Sequence, residues 1–555
     1  FISGVHFMTA GTNRGNINQY GDFDECLSVD GAVKGKYCLA SFELTLEGDS
    51  KMEHLDYLIH SGHYIKSNLT DMGHRLPRYS SILWGVCVPS SCSSYDLEDE
   101  LRGKLSHWGV KVKVHNTMLV SKIWGNATTL WSIILLLTVG TIFDDTTDGV
   151  STFEKLLNAF SLRRNVRKMF DTSETQSRLK GLDAIRGLNA FCLVLVHKSM
   201  AMAHNSYINK TQLSEIFGMP WAVIGRSAII YTDSFLYLSG FLNAYNLIQE
   251  LQRKDTIDIK NRILARWFRL FPVFLSLMLF CTFILPDINN GPQWNLVVQE
   301  HSRVCEKNMW KSFLFIHNFF GFENMCLTHT HQIGMDMQLY IATLPLMILL
   351  WRWKKLGWTI ALSAAVISTI LRYVAVYWHD ISMFVYYGIS VQKLLDAAKF
   401  CYILPTHRAT IYIMGVAMAF FLQSKRSKIV LSEVSFFLLM EYLKSAQQFL
   451  SLIITNIHTK IQIFSLYNIS INYFFLNKFL YLFLGMGKSF INCRVFKLFN
   501  KIAYGVYLTQ FPIFFYNVGI QRISGYYSPF TLVSIKARLA SVHNHRVCMM
   551  RIVNV

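Results

Sequence analysis

Apolar runs recur along most of this 555-residue chain, each bounded by a short polar loop. A helix crosses the hydrocarbon core of a bilayer in about 20 residues. On that measure the runs predict spans at about 125–143, 188–204, 222–246, 267–285, 335–351, 356–376, 409–423, 429–453, 470–486 and 502–519. The first hundred or so residues read differently, with Gly, Ser, Asp and Tyr in place of long apolar runs, as in a separate soluble domain. The pattern predicts an all-α polytopic membrane bundle of about ten helices, preceded by a small disulfide-containing extracytoplasmic domain.

Composition suits a chain surrounded by lipid, with 52% hydrophobic and only 16% charged residues. A formal charge of +19 would otherwise suggest nucleic acid. Here the Lys and Arg fall in short clusters between spans, as the positive-inside rule predicts for cytoplasmic loops, so no nucleic-acid partner is expected. With the N-terminal domain outside, the inner loops hold "RRNVRK" (163–168), "RKD" and "KNR" (253–262), "RWKK" (352–355), "KRSK" (425–428) and "GKSFINCRVFK" (487–497). The outer loops hold glycosylation sequons at Asn209 and Asn468, and Cys305 and Cys326 as a candidate disulfide. In the N-terminal domain, Cys26, Cys38, Cys87 and Cys92 form an even set near a third sequon at Asn68. Both features suit an oxidising compartment, and the three possible pairings stay open. The expected location is integral to the plasma membrane or an endomembrane. No metal site is expected, since "CVPSSC" (87–92) lacks knuckle spacing and His329 and His331 lack a set of partners. The chain opens at Phe1 with no basic segment leading into an apolar stretch, so a signal peptide is expected to be absent or lost.

Candidate chemistry begins at "RGLNAFCLVLVH" (186–197). Arg186 and His197 are eleven positions apart, which on a helix is roughly 16 Å of rise and leaves them within about 20° of one face. Arg186 would lie at the cytoplasmic headgroup level, with Asp183 one turn before it, and His197 about half-way across. An ionisable group at that depth is expensive and marks a site or a path. Arg186 alone fits a positive-inside anchor paired with Asp183 as well as a ligand, and His197 alone fits a neutral ring bonded between helices. Other polar residues within spans are Asp233, Ser234 and Ser239, Asp336 with Gln338, and Arg408 with His407 on the outer side. Asp183, Asp233, Asp336 and Arg408 are candidates for a substrate or donor path. Ser239 reads as a packing residue, and Arg262, Arg266 and Arg269 read as headgroup anchors.

Longer stretches resemble a known family. "GDFDECLSV" (22–30), "GKYCL" (35–39) and "WGVCVPSSCSSYDLE" (84–98) are similar to the N-terminal domain of the nose resistant to fluoxetine family. "TVGTIFDD" (138–145), "LKGLDAIRGLNAFCLVLVHKS" (179–199), "TDSFLYLSGFLNAY" (232–245), "RWFRLFPVF" (266–274), "MDMQLY" (335–340) and "PTHRATIYIMG" (405–415) resemble the rest of that family, whose membrane part is an acyltransferase family three domain. The resemblance implies an extracytoplasmic domain at 1–117, a first span and basic loop at 118–178, the acyltransferase domain at 179–525 and an atypical tail at 526–555. It implies cytosolic acyl-CoA as donor, a hydroxyl-bearing lipid, glycan or small molecule as acceptor, no bound cofactor, and Arg186 and His197 as the catalytic pair. The chain departs from the family at His331 and Gln332, where relatives carry an aromatic pair, and at Gln510, where they carry a histidine. The basic, unpatterned 535–555 stands where one or two further spans are expected, as in a truncated chain. A non-catalytic membrane protein that binds or transports lipid or a small hydrophobe is the alternative reading. No "GxxxxGK[ST]" motif is present to drive such transport with ATP.

Overall fold

The computed structural model describes residues 11–116, 161–170, 182–424 and 494–528, apart from breaks at 12–13, 32, 45–52, 54–55, 58, 61–62, 68–80, 220–221, 223–224, 227, 383–384 and 387. The expected spans at 125–143, 429–453 and 470–486, and the sequons at Asn68 and Asn468, lie outside the described residues.

The N-terminal unit follows the order α1 (Phe23–Ser28), β1 (Gly35–Leu44), β2 (Ile65–Lys66), β3 (Ile82–Pro89), α2 (Ser94–Leu105) and β4 (Val110–Asn116). β1 is the middle strand of an antiparallel sheet with β3 and β4 as its neighbours. Alternate residues of a strand reach opposite faces. Tyr37 and Leu39 pack with Tyr20, Phe23, Cys26 and Leu83, while Cys38, Ala40 and Phe42 pack with Val112, Val114 and the Leu97, Leu101 and Leu105 stripe of α2. Because both faces are covered, the strand lacks the polar alternation of a half-exposed one. α2 starts at a capping box, in which the Asp96 amide donates to the Ser93 hydroxyl at 3.1 Å and the Ser93 amide donates to the Asp96 carboxylate at 2.8 Å.

The same alternation decides the disulfides. Cys87 stands opposite Tyr37 in the register, on the α1 face, and bonds Cys26. Cys38 faces the other side and is unbonded, as is Cys92. The expectation that all four cysteines pair is therefore corrected to one bond. Burial raises the Cys38 thiol above its ordinary value, and nearby Lys36 partly offsets that. The second expected pair, Cys305–Cys326, is present.

The remainder is helical: α3 (Leu162–Phe170), α4 (Leu182–His204), α5 (Lys210–Gly218), α6 (Ala228–Lys254), α7 (Ile259–Leu279), α8 (Glu300–Phe313), α9 (His331–Arg352), α10 (Lys354–Trp378), α11 (Val391–Ala397), α12 (Pro405–Ser424) and α13 (Arg494–Gly519), with a short β5 (Ile389–Ser390). Among the described residues, three helices are long and apolar enough to cross a membrane: Ile259–Asp287, Thr328–Arg352 and Lys354–Trp378. Their outer sides expose Phe268 (65%), Leu362 (67%) and Trp378 (77%), a surface that water would disfavour and hydrocarbon accepts. The expected ranges 188–204, 222–246, 409–423 and 502–519 coincide with α4, α6, α12 and α13, of 23, 27, 20 and 26 residues. The count of about ten spans thus exceeds what the described helices establish by length and composition. α6 and α12 approach closely at two glycines: a Cβ on Gly240 would meet the Tyr412 carbonyl, and one on Gly415 the Tyr237 carbonyl.

Alternating helix directions sort the loops by end. At one end lie the basic segments 163–168, 253–262 and 352–355, where Arg262 pairs with Glu250, the Trp351 indole donates to Asp255 at 2.6 Å and Lys501 donates to the Lys168 carbonyl at 2.8 Å. At the other end lies Cys305–Cys326, and there the N-terminal unit docks. Gln293 donates to the Tyr20 hydroxyl at 2.8 Å, Tyr64 to the Ser199 carbonyl at 3.1 Å and Arg522 to Asp24 at 3.1 Å, while β2 pairs in parallel with β5. Asn209, expected to carry a glycan, is buried at this end. Its side chain donates to Gln212 and the Tyr527 carbonyl and accepts from the Tyr527 amide. An amide so enclosed has no room for a sugar, which corrects that expectation.

One ion pair ties the centre together. Arg408 and Asp233 have no exposed side-chain surface. The Arg408 Nε donates to Asp233 at 2.9 Å, Nη2 donates to Asp233 and, at 3.0 Å, to the Thr232 hydroxyl, and Nη1 donates to the Tyr402 carbonyl at 3.3 Å. Removing one partner of such a pair leaves a buried charge uncompensated, at a cost of about 3–5 kcal/mol. Arg408→Met is therefore expected to destabilise the detergent-solubilised protein by about that amount in denaturant unfolding. The double variant Arg408→Met with Asp233→Asn should recover most of the loss, and equal losses in single and double variants would refute the pairing.

Candidate active site

Two cavities lie along α4 inside the bundle. The inner one, about 490 Å³, is lined by Arg186 and Ala190 of α4, Ser239 and Asn243 of α6, Arg266 and Arg269 of α7, Gln332 and Asp336 of α9, and Asn500, Tyr507 and Gln510 of α13. Its polar groups form one network. Asp336 accepts from Arg266 and from the Ser239 hydroxyl. Arg266 also donates to Asn243 at 3.0 Å and lies over the Tyr340 ring at 4.2 Å, and Asn243 donates to the Tyr412 hydroxyl at 2.9 Å. Ser239 is thus part of a buried polar cluster, where a packing role was expected. Arg266 and Arg269 face the cavity, where headgroup anchoring was expected, and only Arg262 stays at the rim with Glu250.

The outer cavity, about 250 Å³, is lined by His197, His204, His301, His329 and His331 among mostly apolar walls that include Ile229, Leu394, Phe511 and Phe515. π-helical turns at Asn295–Gln299 and Ala398–Tyr402 contribute Val297, Ala398 and Tyr402 to its wall; such turns cluster at functional sites. His197 and His329 both contact Phe511. The His329 ring stacks on it at 4.3 Å, the His197 ring meets its edge at 4.8 Å, and the two imidazoles lie 6.4 Å apart.

Hydrogen bonding defines these rings further. His329 Nε2 faces the Leu508 carbonyl at 3.2 Å and His331 Nδ1 the Thr328 carbonyl at 2.8 Å. A carbonyl only accepts, so those nitrogens carry the protons. The opposite nitrogens, His329 Nδ1 and His331 Nε2, are buried without a hydrogen-bond partner among the described residues, and so is His197 Nδ1. Gln510 lies beside the His197 ring, with its Oε1 also lacking a partner of good geometry. Buried polar atoms left open in this way are rare in finished structures and suit groups that await a substrate or water.

The sequence-predicted residues divide accordingly. Arg186 lines the inner cavity and His197 the outer one, with Gln510 between them. Asp336 lines the inner cavity. Asp233 and Arg408 line neither cavity and neutralise each other, which removes them from the expected substrate path. Asp183 lies on α4, and its side chain lies outside the described residues. Sequence reasoning missed His329 and Phe511 as neighbours of His197, and Tyr507 as a neighbour of His329. A signal for the last two existed, since Tyr507, Phe511 and Phe514 recur on one face of α13 at helical spacing.

An acyltransferase-domain profile matches residues 179–535, and the profile of the nose resistant-to-fluoxetine protein N-terminal domain matches residues 5–101. The chain belongs to the nose resistant to fluoxetine family. It is 21% identical over 478 residues to nose resistant to fluoxetine protein 6 of Caenorhabditis elegans, an alignment that covers 75% of this chain and 58% of that relative. The chain thus spans little more than half the length of that curated relative. No solved structure matches it. Membership makes it a membrane acyltransferase-like protein, and both cavities lie inside the matched acyltransferase domain.

The two cavities predict a sided labelling pattern. In a background without reactive native cysteines, Ala503→Cys in the inner cavity is expected to react with a membrane-impermeant thiol reagent added on the side of the basic loops. Ala201→Cys in the outer cavity should react from the side of the N-terminal unit. Labelling of both from one side would contradict cavities that open toward opposite ends.

Proposed function

We propose that this protein is an integral-membrane O-acyltransferase that moves an acyl group, other than an aminoacyl group, from cytosolic acyl-CoA to a hydroxyl-bearing lipid, glycan or small-molecule acceptor. The observation that carries the reading is the division of labour along α4: a guanidinium in one cavity and, three turns on, an imidazole with an open nitrogen in the next. In this reading the chain crosses the membrane about ten times, with the basic loops in the cytosol and the N-terminal unit extracytoplasmic. Either the plasma membrane or an endomembrane would serve.

The chemistry follows from the groups available. Arg186 and Arg269 offer planar forks to phosphate oxygens of the CoA moiety, which they bind bidentately. The pantetheine arm then runs through the inner cavity and brings the thioester to His197. The acceptor hydroxyl oxygen attacks the thioester carbon while His197 takes its proton. The carbon–sulfur bond breaks, the thiolate recovers the proton from the imidazolium, and ester and free CoA result. An imidazole is suited to both proton transfers. Where relatives carry a histidine at the Gln510 position, this chain has His329 stacked on Phe511 and 6.4 Å from the His197 ring, a second imidazole within reach of the same space. The Gln510 replacement itself is the observation that favours the alternative, a non-catalytic lipid or small-hydrophobe carrier.

Transfer of a radiolabelled acyl group from acyl-CoA into lipid and glycan fractions separates the two. His197→Ala is expected to lower kcat by at least about 100-fold, and Arg186→Ala to raise the donor KM by about tenfold with a smaller change in kcat. Wild-type turnover in His197→Ala membranes would sink the assigned role. Folded protein that transfers nothing but binds a hydrophobic cargo would establish the carrier.

A further inference from the structure

Among the described residues, Arg226 is a cation of the outer cavity that the transfer chemistry does not use. Arg226 lies in the loop before α6, half-buried, and lines this cavity with the histidines and the apolar walls. Its hydrogen bonds among the described residues go to the carbonyls of Met219 and Val385, both at 3.4 Å, and its buried Nε makes none. Among the described residues, two long bonds to neutral carbonyls leave the charge without a carboxylate partner. Three carboxylates of the same end of the bundle bond elsewhere, Asp380 to Lys393 at 2.6 Å, Asp396 to Gln392 at 3.0 Å and Glu323 to Lys399 at 3.6 Å, and exposed Glu215 forms no ion pair with Arg226 among the described residues. A guanidinium that pays for partial burial without a carboxylate is an anion site in waiting.

Its position relative to His197 is fixed by packing. Gly225 sits so close to α4 that a Cβ on it would meet the Ser199 hydroxyl at 2.7 Å. Ser199 is two residues beyond His197, about 3 Å of helical rise. The loop that carries Arg226 is thereby held within about one helical turn of His197 along α4. Between them the walls are apolar, formed by residues such as Ile229, Val385, Leu394 and Phe514.

We infer that the acceptor taken by the outer cavity is an amphipath: an apolar body with an oxyanion, carboxylate or phosphate, held by Arg226 a few bonds from the hydroxyl presented to His197. A glycan, polar over its whole surface, would leave its hydroxyls unmatched against these walls. The inference rests on the outer cavity being the acceptor side of the proposed acyltransferase, and it narrows the acceptor to one chemical class.

Equilibrium binding to the purified full-length protein, with no donor added, tests it separately from turnover. The probes are 3-hydroxyoctanoate, its neutral methyl ester, and a short-chain lysophosphatidate. At least one anion is expected to bind tenfold or more tightly than the ester, the gain typical of a charge-assisted hydrogen bond. A carboxylate preference identifies a hydroxy acid and a phosphate preference a lysolipid. Arg226→Gln should bring the anion-to-ester ratio within about threefold of one, while Arg226→Lys retains part of the preference and controls for folding. An ester that binds as well as the anions, no measurable anion binding, or a preference that survives Arg226→Gln in folded protein would each overturn the inference. Failure of acyl transfer with intact anion binding would instead count against the enzyme and leave this site standing.

Discussion

A guanidinium and a carboxylate with no access to water set the geometry at the middle of this bundle. Asp233 on α6 and Arg408 on α12 are separated by 175 residues and meet as a fully buried pair. In a medium that cannot solvate either charge, the two helices have one favourable register, and Gly240 and Gly415 let them close to it. The pair also reaches the site. Thr232 accepts from Arg408 and from the Tyr402 hydroxyl, and its carbonyl accepts from Gln332 at 3.3 Å. Gln332 follows His331 at the start of α9, and that segment sets His329 against His197. Charge neutralisation in the core thereby helps hold the segment that carries the histidine cluster.

The functional consequence is a division along one helix. Two cavities of different chemistry line successive turns of α4: one with three guanidiniums and an internal carboxylate, the other with five imidazoles and apolar walls. In the proposed reaction an extended polyanionic donor would occupy the first and a largely apolar acceptor the second, with α4, which carries both Arg186 and His197, spanning the distance between them. The N-terminal unit sits over the outer side through β2 and β5, and α11, which follows β5 directly, contributes Val391, Leu394 and Leu395 to the outer cavity. Its docking therefore borders the acceptor side of the proposed reaction.

Much of this was legible in the sequence, and the reasons are local. Helical periodicity alone puts Arg186 and His197 on one face, and the charge of successive loops sorts them to two ends before any contact is known. The missing parts depend on long-range juxtaposition. Nothing near Asp233 announces Arg408 as its partner, so both read as path residues. Ser239 and Arg266 read as packing and anchoring residues because their shared partner, Asp336, lies 70 or more positions away. The sequon at Asn209 is a three-residue pattern blind to the Tyr527 backbone that encloses it. The cysteine set was readable as disulfide-forming, but only the strand register, with Cys87 beside Tyr37, decides that Cys26 is its partner and leaves Cys38 on the far face.

The central claim is that donor and acceptor approach His197 from opposite sides of one membrane. Sided proteoliposomes test it most directly, with a labelled acyl-CoA confined first to the face carrying the basic loops and then to the face carrying the N-terminal unit, and an acceptor present on both. Ester formation only in the first arrangement is the predicted result. Equal formation from either face, or formation only from the N-terminal face, would contradict the account.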